Sequence, residues 1–182
     1  RQGHPAQDQL DVAAYFAQQH VMVTLQPDQP DPLQGIERKV DLGFVGEPVA
    51  VDRRIIDSLS REGIIPVIAP IALERPSGAL NINADTMAGE IARALNAAQL
   101  IFLTDVPGVK DASGQVSGHL TAAQVKAMRD DGTIAGGMIP KVQACLRAVD
   151  GGARAVIADG ADPGAIGIHI RGEIGNGTTI TA

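Results

Sequence analysis

The chain has 182 residues, 45% of them hydrophobic and 20% charged, with a formal net charge of −6. That length buries one good core or two half-cores, and the apolar content excludes a disordered chain. The negative balance speaks against a general nucleic-acid binder, whose surface must attract phosphate backbones.

The opening Arg1-Gln2-Gly3-His4-Pro5 carries no basic-then-apolar leader. No stretch approaches the roughly 18 unbroken apolar residues of a membrane span. Cys145 is the single cysteine, which removes any disulfide framework and fits a reducing compartment. The expectation is a soluble cytoplasmic protein without membrane or nucleic-acid partners.

Residues 1–20 are rich in Gln and Ala and helical at best, and Val21 to Leu25 is β-prone. A polar, proline-containing loop runs from Gln26 to Glu37. Leu42 to Val51 carries Gly43, Gly46 and Pro48 and reads as a hairpin or bent strand. Asp52 is placed to cap a helix reaching about Glu62, with Ile55, Ile56 and Leu59 on one face. Gly63 stops that helix, and Ile64 to Ala69 reads as a buried strand.

A helix from about Ala84 sets Met87, Ala88, Ile91, Ala92 and Leu95 along one stripe. Leu100 to Leu103 is the next strand. Thr121 caps a helix through about Arg129, ended by Gly132. The following helix spans Met138 to Asp150, with Met138, Val142, Cys145, Leu146 and Val149 inward; Pro140 is tolerated in its first turn. Gly151-Gly152 end it, Ala155 to Ile157 is a strand, and Thr178-Thr179-Ile180 is β-prone. Strands alternating with helices predict an α/β fold: an open, mostly parallel sheet with helices on both faces.

Three places can carry chemistry. In Asn81-Ile82-Asn83-Ala84-Asp85, Asn83 reads first as a helix cap. Asn81 and Asp85 flank it at the rim where ligands bind in such sheets, and a carboxylate there can orient lysines or hold magnesium through water. Lys141 follows Gly136-Gly137-Met138-Ile139-Pro140. A lysine beside a helix N-terminus opposes the dipole unless an anion neutralises it, and the glycines admit a close ligand. Thr104-Asp105-Val106-Pro107-Gly108 follows a buried strand and alone is a plain turn, Pro-Gly suiting type II.

Other chemistries fail on spacing. Gly132 to Gly137 has phosphate-loop glycine spacing, but Met138 stands where a lysine is required. Gly175 and Gly177 have no helix after them, so the dinucleotide fingerprint is absent. His4, His20, His119 and His169 show no ligand-like spacing for a metal centre or a Ser-His-Asp triad.

Taken together, Asp41 to Glu47, Ile65 to Pro70, Asn81 to Asp85, Leu103 to Gly108 and Gly136 to Val142 resemble the acetylglutamate kinases of the amino acid kinase family, motif by motif and in order. The resemblance runs from about Asp41 to Ile180 and implies a three-layer sandwich. It implies residues 1–80 in an incomplete acyl-substrate half and 81–182 in a nucleotide-binding half. The reaction implied is transfer of the ATP γ-phosphoryl group to the γ-carboxylate of N-acetyl-L-glutamate, a step of arginine biosynthesis, with magnesium. Asn81 would contact the acyl amino acid, Asp85 would organise the lysines, and Lys141 would stabilise the transferring phosphoryl group. Thr104, Asp105, Val106, Pro107, Gly108 and Val109, with Thr133, Ile134 and Ala135, would contact ATP. No metal-ligating residue is assigned. The family implies a homo-oligomer, dimer or hexamer, for a full-length protein.

The sequence departs from the family pattern in two places. The family's Lys-x-Gly-Gly phosphate loop, Gly-Gly and substrate arginine do not occur upstream of Asp41. The expectation is a chain lacking roughly the first third of the fold and catalytically weak or inactive by itself. The tail Gly175 to Ile180 resembles arginine-inhibited members, except that Asn176 replaces an apolar residue, and it leaves arginine open as an effector. Two alternatives stand: a kinase of the aspartate or aminoadipate type, and a non-catalytic nucleotide- or arginine-binding module.

Overall fold

A computed structural model describes residues 20–24, 45–74, 78–173 and 175–182. In chain order it contains β1 (His20–Thr24), β2 (Val45–Gly46), α1 (Arg54–Arg61), β3 (Ile71–Glu74), β4 (Gly78–Ile82), α2 (Ala84–Leu95) and β5 (Gln99–Thr104). There follow β6 (His119–Thr121), α3 (Ala122–Asp130), α4 (Met138–Asp150), β7 (Arg154–Asp159), α5 (Ala165–Ile170) and β8 (Thr178–Thr181).

Five strands form one sheet in the order β1-β5-β7-β8-β6. The pairs β1–β5, β5–β7 and β6–β8 are parallel, and β7–β8 is antiparallel. Successive side chains of a strand point to opposite faces, and β5 shows the consequence. Leu100 and Phe102 join the core beneath α2, α3 and α4. Ile101 and Leu103 join a smaller core against Ala165, Ile166 and Ile170 of α5. Every residue of β5 is buried, as a central strand covered on both faces requires. The predicted α/β fold, with a mostly parallel sheet and helices on both faces, is therefore the observed one.

The helices obey their local signals where packing supports them. Asn83 caps α2 by accepting from the Thr86 N–H at 3.0 Å, and Asn96 closes it in the left-handed conformation at φ 49°. Thr121 and Gln124 form a reciprocal capping box at the start of α3. Pro140 sits in the first turn of α4, where its missing N–H costs nothing.

A second sheet, β2-β4-β3, pairs β2 parallel and β3 antiparallel to β4. Here four expectations are corrected. Ile64 to Ala69 is not a buried strand: the segment is irregular, with Val67 96% exposed. Pro66 lacks a ladder donor, and among the described residues no strand lies beside the run to pair with it. The strand forms later, at Ile71–Glu74.

The helix predicted from Asp52 to about Glu62 forms at Arg54–Arg61, but its cap and its packing differ from expectation. Its N-cap is Arg53, without a side-chain cap bond, and it buries no residue; Ile55 is 71% exposed. Asp52 does accept from the Arg54 backbone N–H at 3.1 Å. Of the hairpin or bent strand predicted over Leu42 to Val51, the described residues hold only β2, and residues 42–44 lie outside them. The type II turn at Pro107-Gly108 is a series of bends with Gly108 at φ 151°, far from the value near 80° that such a turn needs. β3, β4, β6 and α5 were not predicted. The helical reading of residues 1–19 and the loop Gln26 to Glu37 also fall outside the described residues.

Candidate active site

α2 reaches β5, and α4 reaches β7, through three-residue connections (96–98 and 151–153). Both helices therefore run opposite to the parallel strands, and their N-termini open at the edge where β5 and β7 end. The two helices pack side by side in the same direction. A Cβ on Gly89 would lie 2.8 Å from the Ala144 carbonyl oxygen and 2.9 Å from its Cα, so only glycine permits this approach. One turn toward the helix starts, Lys141 Nζ stands 3.4 Å from Asp85 Oδ2. One turn beyond, Glu90 takes Arg147 at 3.3 Å and Arg93 at 2.7 Å.

The Asp85–Lys141 pair is withdrawn from solvent, with side chains 7% and 15% exposed. At 3.4 Å it is longer than a tight charge-assisted hydrogen bond. An ammonium has three donors, so Lys141 keeps capacity for a second anionic partner. The first turn of α4 contains no acidic residue, and its positive dipole end adds to the charge of Lys141. The leading amides are partly committed: Met138 N–H donates to Ala135 O at 3.3 Å and Ile139 N–H to Gly136 O at 3.1 Å. Attraction for an anion here would rest on the lysine and the dipole more than on bare N–H groups. Gly136, at φ 56°, and Gly137 would meet nothing within 4 Å if a Cβ were added, so the segment faces open space.

Cys145, one turn after Lys141, is fully buried. Desolvation pushes its thiol far above the ordinary range; the Asp85 charge adds to this and Lys141 opposes it. The thiol is inert packing, not a nucleophile.

The strand-end turn lies along the same edge. The Thr104 hydroxyl donates to Asp105 Oδ1 at 2.9 Å, and Thr104 O accepts from the Gly160 N–H at 2.7 Å. Asp105 and Pro107 are exposed, Val106 is half-buried, and Gly108 and Val109 are buried. In the loop before α4, Thr133 N–H donates to Asp131 Oδ1 at 2.9 Å, and Ala135 is exposed. Ile134 points into the core, so any ligand meets it through its backbone. Asn81 is exposed on β4, in register with Val45 and Ile71, four residues before Asp85.

Of the residues singled out by sequence, Asp85 and Lys141 are in contact. Thr104 to Val109 and Thr133 to Ala135 join their edge of the sheet by topology. Asn81 belongs to the other sheet. Sequence reasoning missed Thr178, which holds the turn, and Gly89, which sets the helix approach. A glycine inside a helical stripe is a readable sign of close packing; a β-prone threonine near a chain end is not.

The sequence matches the amino acid kinase family over residues 9–159. A protein of Rhizorhabdus wittichii named acetylglutamate kinase is 54% identical over 153 residues, 84% of this chain and 51% of that protein. Its namesake in Mesorhizobium japonicum is 51% identical over 151 residues, 82% and 51% respectively. The chain spans about half the length of the curated relatives it matches. Among solved structures, smu.665 of Streptococcus mutans superposes with a TM-score of 0.65 at 30% identity, covering 88% of this chain and 62% of that one. N-acetylglutamate synthase of Neisseria gonorrhoeae, complexed with coenzyme A and L-arginine, shares the fold at a TM-score of 0.70 and 21% identity, over 88% of this chain and 37% of its own. With the family match covering most of its residues, and relatives above half identity over 82–84% of the chain, the chain belongs to the amino acid kinase family.

Proposed function

We propose that this site serves transfer of the γ-phosphoryl group of ATP, bound as its magnesium complex, to the γ-carboxylate of N-acetyl-L-glutamate. The observation that carries the reading is the Asp85–Lys141 pair at the joined N-termini of α2 and α4. Phosphoryl transfer needs positioning and charge neutralisation rather than a covalent intermediate, and the pair supplies both. Lys141 faces the equatorial oxygens on which negative charge spreads. Asp85 holds the ammonium against the helix pair, so that it is aimed before the reaction begins.

Magnesium belongs to the nucleotide substrate: the phosphates supply most of its oxygens, and Asp85 is the carboxylate at hand. Thr104 to Val109 and Thr133 to Ala135 contact the nucleotide, and Asn81 contacts the acyl amino acid from the neighbouring sheet. The relatives' name supports this acceptor over aspartate or aminoadipate.

The test is calorimetric titration of the magnesium complex of AMP-PNP, a non-hydrolysable ATP analogue that keeps the γ-phosphoryl group, into the chain and into Lys141→Ala. The parent should bind saturably, and Lys141→Ala about tenfold more weakly, as expected for loss of one charge-assisted contact. Equal affinity in the two proteins, or no binding by a folded parent, would overturn the reading.

A further inference from the structure

The inner positions of β8 are Thr178 and Ile180, and both are fully buried. Ile180 belongs to the main apolar core. A valine at 178 would match that core in shape, whereas a buried hydroxyl is costly unless it is bonded. The Thr178 hydroxyl oxygen accepts from the Val109 N–H at 2.7 Å, across 69 residues of chain and in a fully buried position. The backbone of Gly108 presses on the same oxygen: a Cβ there would lie 2.6 Å from it. Thr178 also stands in register with Ile157 of β7, which fixes it laterally in the sheet. One oxygen on a rigid strand thus sets both how near the turn after β5 comes and where its last buried N–H points.

We propose that Thr178 is a positioning residue for nucleotide binding: its hydroxyl holds the turn Thr104 to Val109 in the shape that meets the nucleotide, without touching the ligand itself. The inference rests on the nucleotide reading above. Valine at 178 removes the acceptor and puts a methyl group where the Val109 N–H now approaches to hydrogen-bonding distance, so the turn must move outward. Serine keeps the oxygen.

The experiment compares the 182-residue parent with Thr178→Val and Thr178→Ser by MgADP calorimetry, by hydrogen exchange at the Val109 amide and by thermal melting. The expected result is MgADP binding about tenfold weaker in Thr178→Val and within about threefold of the parent in Thr178→Ser. Val109 exchange should be fast in the valine variant and protected in the serine variant. Thr178→Ala, which loses the acceptor without the intruding methyl, replaces valine if that protein does not fold. Parent-like affinity in the valine or alanine variant, or a serine variant as weak as valine, would overturn the proposal. A purely structural role would lower the melting temperature and leave affinity, measured well below it, unchanged. A parent that binds no MgADP removes the nucleotide reading first, and this role with it.

Discussion

Two apolar runs of similar composition have opposite fates in this molecule. Leu100-Ile101-Phe102-Leu103 lies wholly buried at the centre of the five-stranded sheet, whereas Ile64-Ile65-Pro66-Val67-Ile68 lies open, with Val67 96% exposed. Hydrophobicity does not decide between them. The first run has β1 and β7 on its two sides and helices on its two faces. The second has a proline that cannot donate to a ladder and no strand beside it among the described residues. An apolar segment is a strand only when something satisfies its backbone.

The sharpest way to break this comparison is a pair of truncations. Phe102→Ala empties a fully buried position and should cost about 3–5 kcal/mol. Val67→Ala should stay within about 0.5 kcal/mol, because the side chain already stands in water. Urea unfolding of both proteins checks the contrast. A Val67→Ala cost near that of Phe102→Ala would mean that the exposed run is covered in solution.

The same contrast explains what could be read before the structure. Two segments whose agreeing signals also found a packing partner were read accurately: the stripe Ala88, Ile91, Ala92 behind the Asn83 cap gave α2, and the Met138 to Asp150 pattern before Gly151-Gly152 gave α4 with its observed ends. The resemblance implied that Asp85 organises the lysines, and the structure sets its carboxylate 3.4 Å from Lys141 Nζ. Where only the apolar signal existed, as at Ile64 to Ala69, it misled, since pairing partners are a property of the whole fold. β6 was hidden because Thr121 both ends the strand and caps α3. Thr178 was unreadable because its partner Val109 lies 69 residues away.

A second test addresses the packed half alone. Gly89→Ala places a methyl group against backbone atoms of Ala144 that cannot rotate aside. Overpacking of this kind costs about 1–3 kcal/mol, and the helices must separate near Asp85 and Lys141. Stability and affinity for the magnesium complex of AMP-PNP should fall together. A Gly89→Ala protein as stable as the parent would show that the α2–α4 contact is looser than its 2.8 Å approach indicates.

The smallest expected effect concerns pH and touches only the packed region. An exposed thiol titrates at about 8.5, whereas burial and the Asp85 charge push Cys145 well above that. The folded state therefore holds the proton more tightly than the unfolded state. This contribution is fully present below about pH 8.5 and is lost as pH rises, by up to about 1.4 kcal/mol per pH unit. Cys145→Ala gives up some packing at every pH, and its stability should fall less steeply than the parent's between about pH 9 and 10. In the native parent, an aromatic disulfide reagent should label Cys145 only at the rate of unfolding. Rapid labelling at neutral pH, or parallel stability curves for the two proteins, would place the thiol in contact with water. The gap between α2 and α4 would then be open where the structure closes it, with Lys141 and Asp85 solvated rather than aimed.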